Sequence, residues 1–372
     1  MRVELGGLSL EEARRRDGLK WTLIGPGVIP AWVADMDFPP PDAVREAVLR
    51  RIDTDLGYPS WLDDFSVGPL AEAFAERMEG RYGFRADPGL VRSFTDLNQA
   101  LQIVLHLMTE PGDGVVVHTP AYNAFLDTLR TMDRVPVPLP LIANGESWEF
   151  AEPEGTENAK VLLLVNPHNP TGHCFTRDEL ERLAELAERH DLIVISDEVH
   201  ADLAFDGNVH IPFGTLLPER TVTLTSASKA FNMGGVHCAV AHLGHAGVRA
   251  ALAAYPAHLF GAAGVLGVEA TVAAWRHGGD WLAEVLAVLD RNRKMIAARM
   301  PPEVTYLIPE ATYLGWLDFG IPDVTTFLER EAKVRLNPGP LFGAPDTFAR
   351  LNFGTSGPIL DEILTRIRGV LD

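Results

Sequence analysis

The sequence predicts an α/β protein organised around a mostly parallel β-sheet, and two observations carry that expectation. Short apolar runs at 161–165 (Val-Leu-Leu-Leu-Val) and 192–195 (Leu-Ile-Val-Ile) lack the alternation of a half-exposed strand. They read instead as strands buried on both faces. Between them, residues 177–190 form a charged amphipathic segment with Leu180, Leu183, Leu186 and Ala187 on one face. A strand, a helix and a strand at this spacing make a parallel crossover unit.

The other elements follow in chain order. Residues 41–52 predict a helix opened by prolines, with Val44, Ala47, Val48 and Ile52 as its apolar positions. A second helix is expected at 97–108 and a buried strand at 114–118. Downstream of the crossover unit, 221–225 reads as another short strand and 281–300 as a long helix, with mixed strand and helix signals beyond it. Neither repeats nor low-complexity tracts interrupt the pattern. A chain of 372 residues has room for about two domains with a sizeable core.

Composition excludes several classes of function. A net charge of −19 argues against nucleic acid or an anionic membrane as partner. No apolar stretch approaches the roughly 20 residues needed to cross a bilayer, and the amino terminus, of mixed charge, lacks the apolar core of a signal peptide. With only Cys174 and Cys238, a disulfide framework is not expected and a reducing cytoplasm is. His118, His168, His173, His200, His237, His242 and His245 lie in separate segments without metal-ligand spacing, so no metal site is expected. Gly25-Pro26-Gly27 does not open a helix, which excludes a dinucleotide fingerprint there.

Three motifs carry chemistry. Ser226-Ala227-Ser228-Lys229-Ala230-Phe231-Asn232 places a lysine among small hydroxyl residues just after a strand, where an amine can form a Schiff base with a carbonyl cofactor. The run ending Ser196-Asp197-Glu198-Val199-His200 sets two acids and a histidine at the carboxyl end of a buried strand, where open α/β sheets bind ligands. Asn166-Pro167-His168-Asn169-Pro170-Thr171-Gly172 makes a rigid turn with fixed polar side chains.

In this order and spacing the three motifs resemble the fold-type I pyridoxal phosphate enzymes, the class I/II aminotransferase superfamily. Trp32-Val33-Ala34-Asp35-Met36-Asp37-Phe38 narrows the likeness to the MalY/PatB-like branch of cystathionine β-lyases and related carbon–sulfur lyases. Lys20-Trp21, Gly57-Tyr58, Glu110-Pro111-Gly112-Asp113, Thr312-Tyr313-Leu314 and Arg350-Leu351-Asn352-Phe353-Gly354 extend it over nearly the whole chain. The resemblance implies the type I pyridoxal phosphate transferase fold. It comprises a large cofactor domain at 37–280, with a mostly parallel sheet sandwiched by helices, and a smaller α+β domain built from both chain ends, 1–36 and 281–372.

It also implies roles for individual residues. Lys229 is the expected Schiff-base lysine and the base for the Cα proton, and Asp197 the partner of the pyridine nitrogen. Glu198, one residue on, faces the other way along the strand and is read as a structural neighbour. Asn169 and His200 are expected on the cofactor's phenolic oxygen, and Tyr122 stacked on its ring. Ser226, Ser228 and the amides opening the helix at Leu97 are the expected phosphate donors. Asp96 stands where the family usually has glycine. A carboxylate beside a phosphate is repelled, so Asp96 is expected to cap that helix and to offer phosphate at most its backbone amide. Tyr58 matches a tyrosine that reaches the phosphate of a neighbouring subunit, which implies a homodimer with shared active sites. Arg350 is the expected grip on the substrate α-carboxylate, completed by Asn169 and the backbone near Val33 and Ala34.

Two positions bear on the reaction. His200 stands where aminotransferases of this fold usually have tyrosine, and His237 where they have a phosphate-binding arginine; both departures favour the lyase branch. The expected function is therefore a carbon–sulfur β-lyase releasing pyruvate, ammonia and a thiol from cystathionine or another cysteine S-conjugate. An aminotransferase acting on an L-amino acid shares all of these residues and stays open as the alternative, followed by a non-catalytic regulator on the same fold.

Overall fold

The structure, a computed structural model, describes residues 6–61, 68–145, 147–205, 207–256 and 259–371. The first five residues and Asp372, which fall within the expected small domain, lie outside them. An eight-stranded sheet forms the centre. Its order is Val91–Phe94, Ala239–Leu243, Thr221–Thr225, Ile193–Asp197, Ala159–Val165, Gly114–Thr119, Val135–Asn144 and Ser147–Phe150. The five strands from Thr221–Thr225 to Val135–Asn144 run parallel. Ala239–Leu243 runs antiparallel to both of its neighbours, and Ser147–Phe150 closes a hairpin on Val135–Asn144. The physical reason for the antiparallel return of Ala239–Leu243 is visible in the chain. The connection from Thr225 holds the lysine motif and short turns but no crossover helix, and a parallel return needs one.

Alternate residues of the buried strands serve two cores. Val161, Leu163 and Val165 pack with Ile193, Ile195 and the helix Leu97–Met108 on one face. Leu162, Leu164 and Val194 pack on the other with Leu180, Leu183, Leu186 and Ala187 of the helix Arg177–Arg189. This is why the runs read as continuously apolar: neither face meets water. The helix expected at 41–52 spans Asp42–Thr54 and packs on the helix Val265–His277. Val44 and Ala47 are buried there, but Ile52 is 47% exposed because it sits in the last turn of its helix. The helix expected at 281–300 spans Gly279–Arg299.

Val135–Asn144 is not legible as a strand in the sequence, because Pro136, Pro138 and Pro140 punctuate it. Each aligns with a residue of Gly114–Thr119, while the hairpin partner covers only Leu141 to Asn144. The prolines therefore fall on the stretch whose other edge is open, where a missing N–H leaves no ladder bond unmade.

A separate four-stranded antiparallel sheet, in the order Thr305–Tyr306, Leu314–Asp318, Phe348–Asn352 and Asn337–Pro338, lies in the carboxyl-terminal part of the chain. The amino-terminal segment meets the same part of the chain in a separate two-stranded parallel pair, Ile29–Pro30 with Val334–Arg335. Buried Asp37 fixes the approach: its carboxylate accepts from Lys20 Nζ at 2.8 Å and from Trp21 Nε1 at 2.7 Å. Residues 31–38 thereby run between the carboxyl ends of the large sheet and the small sheet.

Candidate active site

Four residues beyond the strand Thr221–Thr225, Lys229 donates from Nζ to the carbonyl oxygen of Ala34 at 3.0 Å. Its loop is fastened from both ends. Ser226 Oγ donates to Cys238 O at 2.7 Å and accepts from Ser228 N at 3.0 Å. Asn232, in the left-handed region at φ 55°, accepts from Met36 N at 2.9 Å and donates to Met36 O and Phe38 O at 2.9 and 2.6 Å. Asparagine tolerates that backbone conformation better than most residues. The lysine loop and the segment 33–38 are thus one hydrogen-bonded unit.

Asp197 ends the strand Ile193–Asp197, buried, with Oδ1 accepting from Val199 N at 3.0 Å. Burial pushes its carboxyl up to about 7; the Val199 amide opposes this, the Glu198 charge adds to it and Lys229 opposes it. Glu198 turns away from that site and is satisfied by Ser196 Oγ at 2.9 Å, Phe213 N at 3.0 Å and His210 Nε2 at 3.1 Å. Burial also pushes the Lys229 ammonium below the usual lysine range; Asp35 and Asp197 oppose the shift and Arg350 adds to it.

His200 is buried at the mouth of the 3₁₀ turn Ala201–Leu203, its ring edge-on to Tyr313 at 6.2 Å between centroids. Desolvation, with Lys229 and Arg350 adding to it, pushes this imidazole down to about 3, so it is neutral at ordinary pH. Arg350 comes from the small sheet, on the strand Phe348–Asn352. Its Nη1 donates to Asn169 Oδ1 at 2.9 Å and its Nη2 to Trp32 O at 3.1 Å, and its guanidinium lies 4.9 Å from the centre of the Phe342 ring. Burial pushes it down to about 10. Tyr122 caps the helix Asn123–Thr131, half-buried, edge-on to Phe125.

The structure links these residues: Lys229, Asp197, His200, Tyr122 and Arg350 act electrostatically on one another, Arg350 holds Asn169, and Lys229 reaches Ala34, next to Val33. Asp96 caps the helix Leu97–Met108 by accepting from Gln99 N at 2.8 Å, which leaves the amides of Leu97 and Asn98 ahead of the first intrahelical bond. Ser228, next to Lys229 in the chain, is half-buried. Ser226, the other expected phosphate donor, gives its hydroxyl proton to the Cys238 carbonyl in this structure, a bond that shapes the loop. Tyr58 stands away from the cleft at 92% exposure, and His237 is exposed at φ 54°.

Three residues join the site that the sequence does not mark individually. Tyr313 donates its hydroxyl to Ala34 O at 2.7 Å. Asn352 donates to Val33 O, and to Asp35 O at 2.7 Å. The Asp35 carboxylate acts on Lys229 and on Tyr313, and lines a cavity of about 230 Å³ with Lys20, Asn232, Gly234 and Gly235. Asp35 belongs to the quoted run 32–38, but only the fold shows which of its residues faces the lysine.

These residues fit the pyridoxal phosphate expected from the sequence. Buried His200 Nδ1 and Arg350 Nε have no hydrogen-bond partner among the described residues. Buried polar atoms are seldom left so, and both belong to side chains that act electrostatically on or beside Lys229. The Asp197 carboxylate, raised by burial, is suited to meeting a cation. Among the described residues no group of three or more His, Cys, Asp and Glu could hold a metal ion, no helix is long and apolar enough to cross a membrane, and Cys174 and Cys238 are buried and unpaired.

Comparison with known proteins places this geometry among relatives. The family described as aminotransferase class I and II matches residues 33–367. A cystathionine β-lyase of Corynebacterium glutamicum is 32% identical, over 97% of this chain and 99% of its own. Cystathionine β-lyase PatB of Bacillus subtilis is also 32% identical, over 97% and 98%. Among solved structures, a pyridoxal phosphate-bound C-S lyase from Staphylococcus hominis is similar with a TM-score of 0.87 at 28% identity, covering 96% of this chain and 97% of its own.

Proposed function

Because the chain belongs to the class I and II aminotransferase family, we propose that it is a pyridoxal phosphate-dependent carbon–sulfur β-lyase. It would cleave cystathionine or another cysteine S-conjugate to pyruvate, ammonia and a thiol. The observation that carries the lyase reading is near full-length likeness to proteins named cystathionine β-lyase, combined with a neutral, buried His200 beside the lysine. Bound pyridoxal phosphate supplies an electron sink for the pair left at Cα when its proton is removed.

The chain's own residues do the rest. Lys229 would hold the cofactor through Nζ and, when its amine is free, take the Cα proton; burial, which lowers its affinity for protons, favours the free amine. Asp197 would hold a proton on the ring nitrogen as an ion pair. Neutral His200 and the Asn169 amide would donate to the cofactor's oxygen, and Tyr122 would cover its ring. Ser228 and the amides of Leu97 and Asn98 would take the phosphate. Arg350 turns its guanidinium to the substrate carboxylate, steadied by Asn169 and Trp32 O.

We assign residues 37–280 to the cofactor domain and 1–36 with 281–372 to the smaller one. Exposed Tyr58 supports a homodimer in which it enters the partner's site, and two unpaired buried cysteines support a cytoplasmic home. Product analysis with a sulfur amino acid and no keto acid tests the reaction.

A further inference from the structure

His173 takes no part in the proposed chemistry, yet its setting is unusual. The ring is buried and both of its nitrogens face carboxylates: Nδ1 lies 2.8 Å from Glu310 Oε2, and Nε2 lies 3.0 and 3.1 Å from the two oxygens of Glu179. An imidazole with acceptors at both nitrogens donates twice only when protonated.

The three partners belong to different parts of the fold. Glu179 closes the capping box of the helix Arg177–Arg189 with Thr176. His173 ends the turn that displays Asn169: His168 N donates to His173 O and Gly172 N to His168 O, each at 2.8 Å. Glu310 belongs to the segment leading to Tyr313. That segment is threaded between the Asn169 turn and the His200 turn, because Ala311 N donates to Gly172 O at 2.9 Å and Thr312 N to Leu203 O at 3.1 Å. The fit is close: a Cβ at Gly172, which has φ 73°, would stand 2.3 Å from Pro309 Cβ. The same Glu310 oxygen also accepts from Cys174 N at 2.8 Å.

We propose that His173 is a positioning residue of the amino-acid site, an imidazolium that clamps the Asn169 turn to the segment 310–313 and so fixes where Asn169 holds Arg350. The inference rests on the amino-acid site proposed above. The other titratable groups facing His173 are His118 from the neighbouring strand and His168 and Cys174 from its own turn. Burial keeps both histidines neutral and the thiol protonated, so the local charge is that of the imidazolium and two carboxylates. Burial alone would lower His173; the two carboxylates override it and raise the group to about 9. A raised histidine supports its pairing fully below its ordinary range near 6.5 and loses it as pH rises through about 9.

The test uses the cofactor-loaded protein labelled with ¹⁵N-histidine, the His173 signals being assigned by their loss in His173→Gln. Both ring nitrogens should be protonated at pH 7.5 and titrate near 9. In kinetics, KM for whichever amino acid turns over should rise roughly tenfold across that titration, with kcat changed less than about threefold. His173→Gln should show the raised KM already at pH 7.5 and lack the further step near pH 9, which lies below the pH of about 10 where Arg350 itself begins to lose its charge. Glu310→Gln, at a more exposed position, should raise KM likewise, and the double variant should be no worse than either single one. A neutral His173 at pH 7.5, or wild-type KM in the Glu310→Gln protein, overturns the proposal. Transamination instead of elimination would not, since the ring titration and the ratio of KM between variant and wild type can be read with either product.

Discussion

Lys229 and Tyr313 donate to one acceptor, the carbonyl oxygen of Ala34, at 3.0 and 2.7 Å. The lysine reaches it from the large sheet and the tyrosine from the approach to the small one. Ala34 itself is held by neighbours on both sides, through Asn352 at Val33 and Asp35 and through Asn232 at Met36. The Lys229 amine is thus anchored to a carbonyl that is itself held on both sides.

That fixation makes the lysine assignment directly testable. Purified protein should be yellow, and borohydride should fix the cofactor covalently to a single peptide carrying Lys229. In Lys229→Ala the trapped cofactor should be lost while the circular dichroism spectrum and melting temperature stay near wild type. An adduct on another lysine would remove Lys229 from its role.

Arg350 is held by two hydrogen bonds and an aromatic face, and only a planar fork can satisfy that set while meeting a carboxylate. Arg350→Lys should raise KM for the amino acid by roughly 10- to 100-fold, the range expected when a charge-assisted hydrogen bond is lost. Steady-state kinetics decide it. An unchanged KM would place the carboxylate elsewhere.

Much of this site was legible before folding. Asp197 ends a buried strand and Asn169, His200 and Lys229 stand within four residues of one, and an apolar run long enough to be buried announces where its polar end will lie. What could not be read is pairing across distance. Nothing in the spacing says that Ala34 would meet Lys229, 195 residues away, or that Trp32 O would meet Arg350, 318 residues away. The bond that Ser226 makes is illegible for a related reason. A serine beside the lysine looks free to donate until the return of Cys238 supplies its acceptor. The strand Val135–Asn144 is illegible in the sequence because alternating prolines mimic a loop wherever the open edge of a sheet is not yet known.

Tyr58 is 92% exposed, a poor setting for a large aromatic ring unless another surface covers it. Mixing inactive Tyr58→Ala and Lys229→Ala proteins under conditions that exchange subunits should restore activity, up to about a quarter of wild type if subunits pair at random. Sedimentation should give a dimer. An active monomer, or mixtures that stay inactive despite proven exchange, would contradict shared sites.

Elimination needs a leaving group on Cβ and no second substrate, whereas transamination needs an acceptor for the amino group. The decisive measurement is therefore product stoichiometry from L-cystathionine or an S-alkyl cysteine with no keto acid present. The expected result is continuous turnover releasing pyruvate, ammonia and thiol in equal amounts. Turnover that stops after about one equivalent per site, yields no thiol and resumes only on adding 2-oxoglutarate would contradict the lyase assignment.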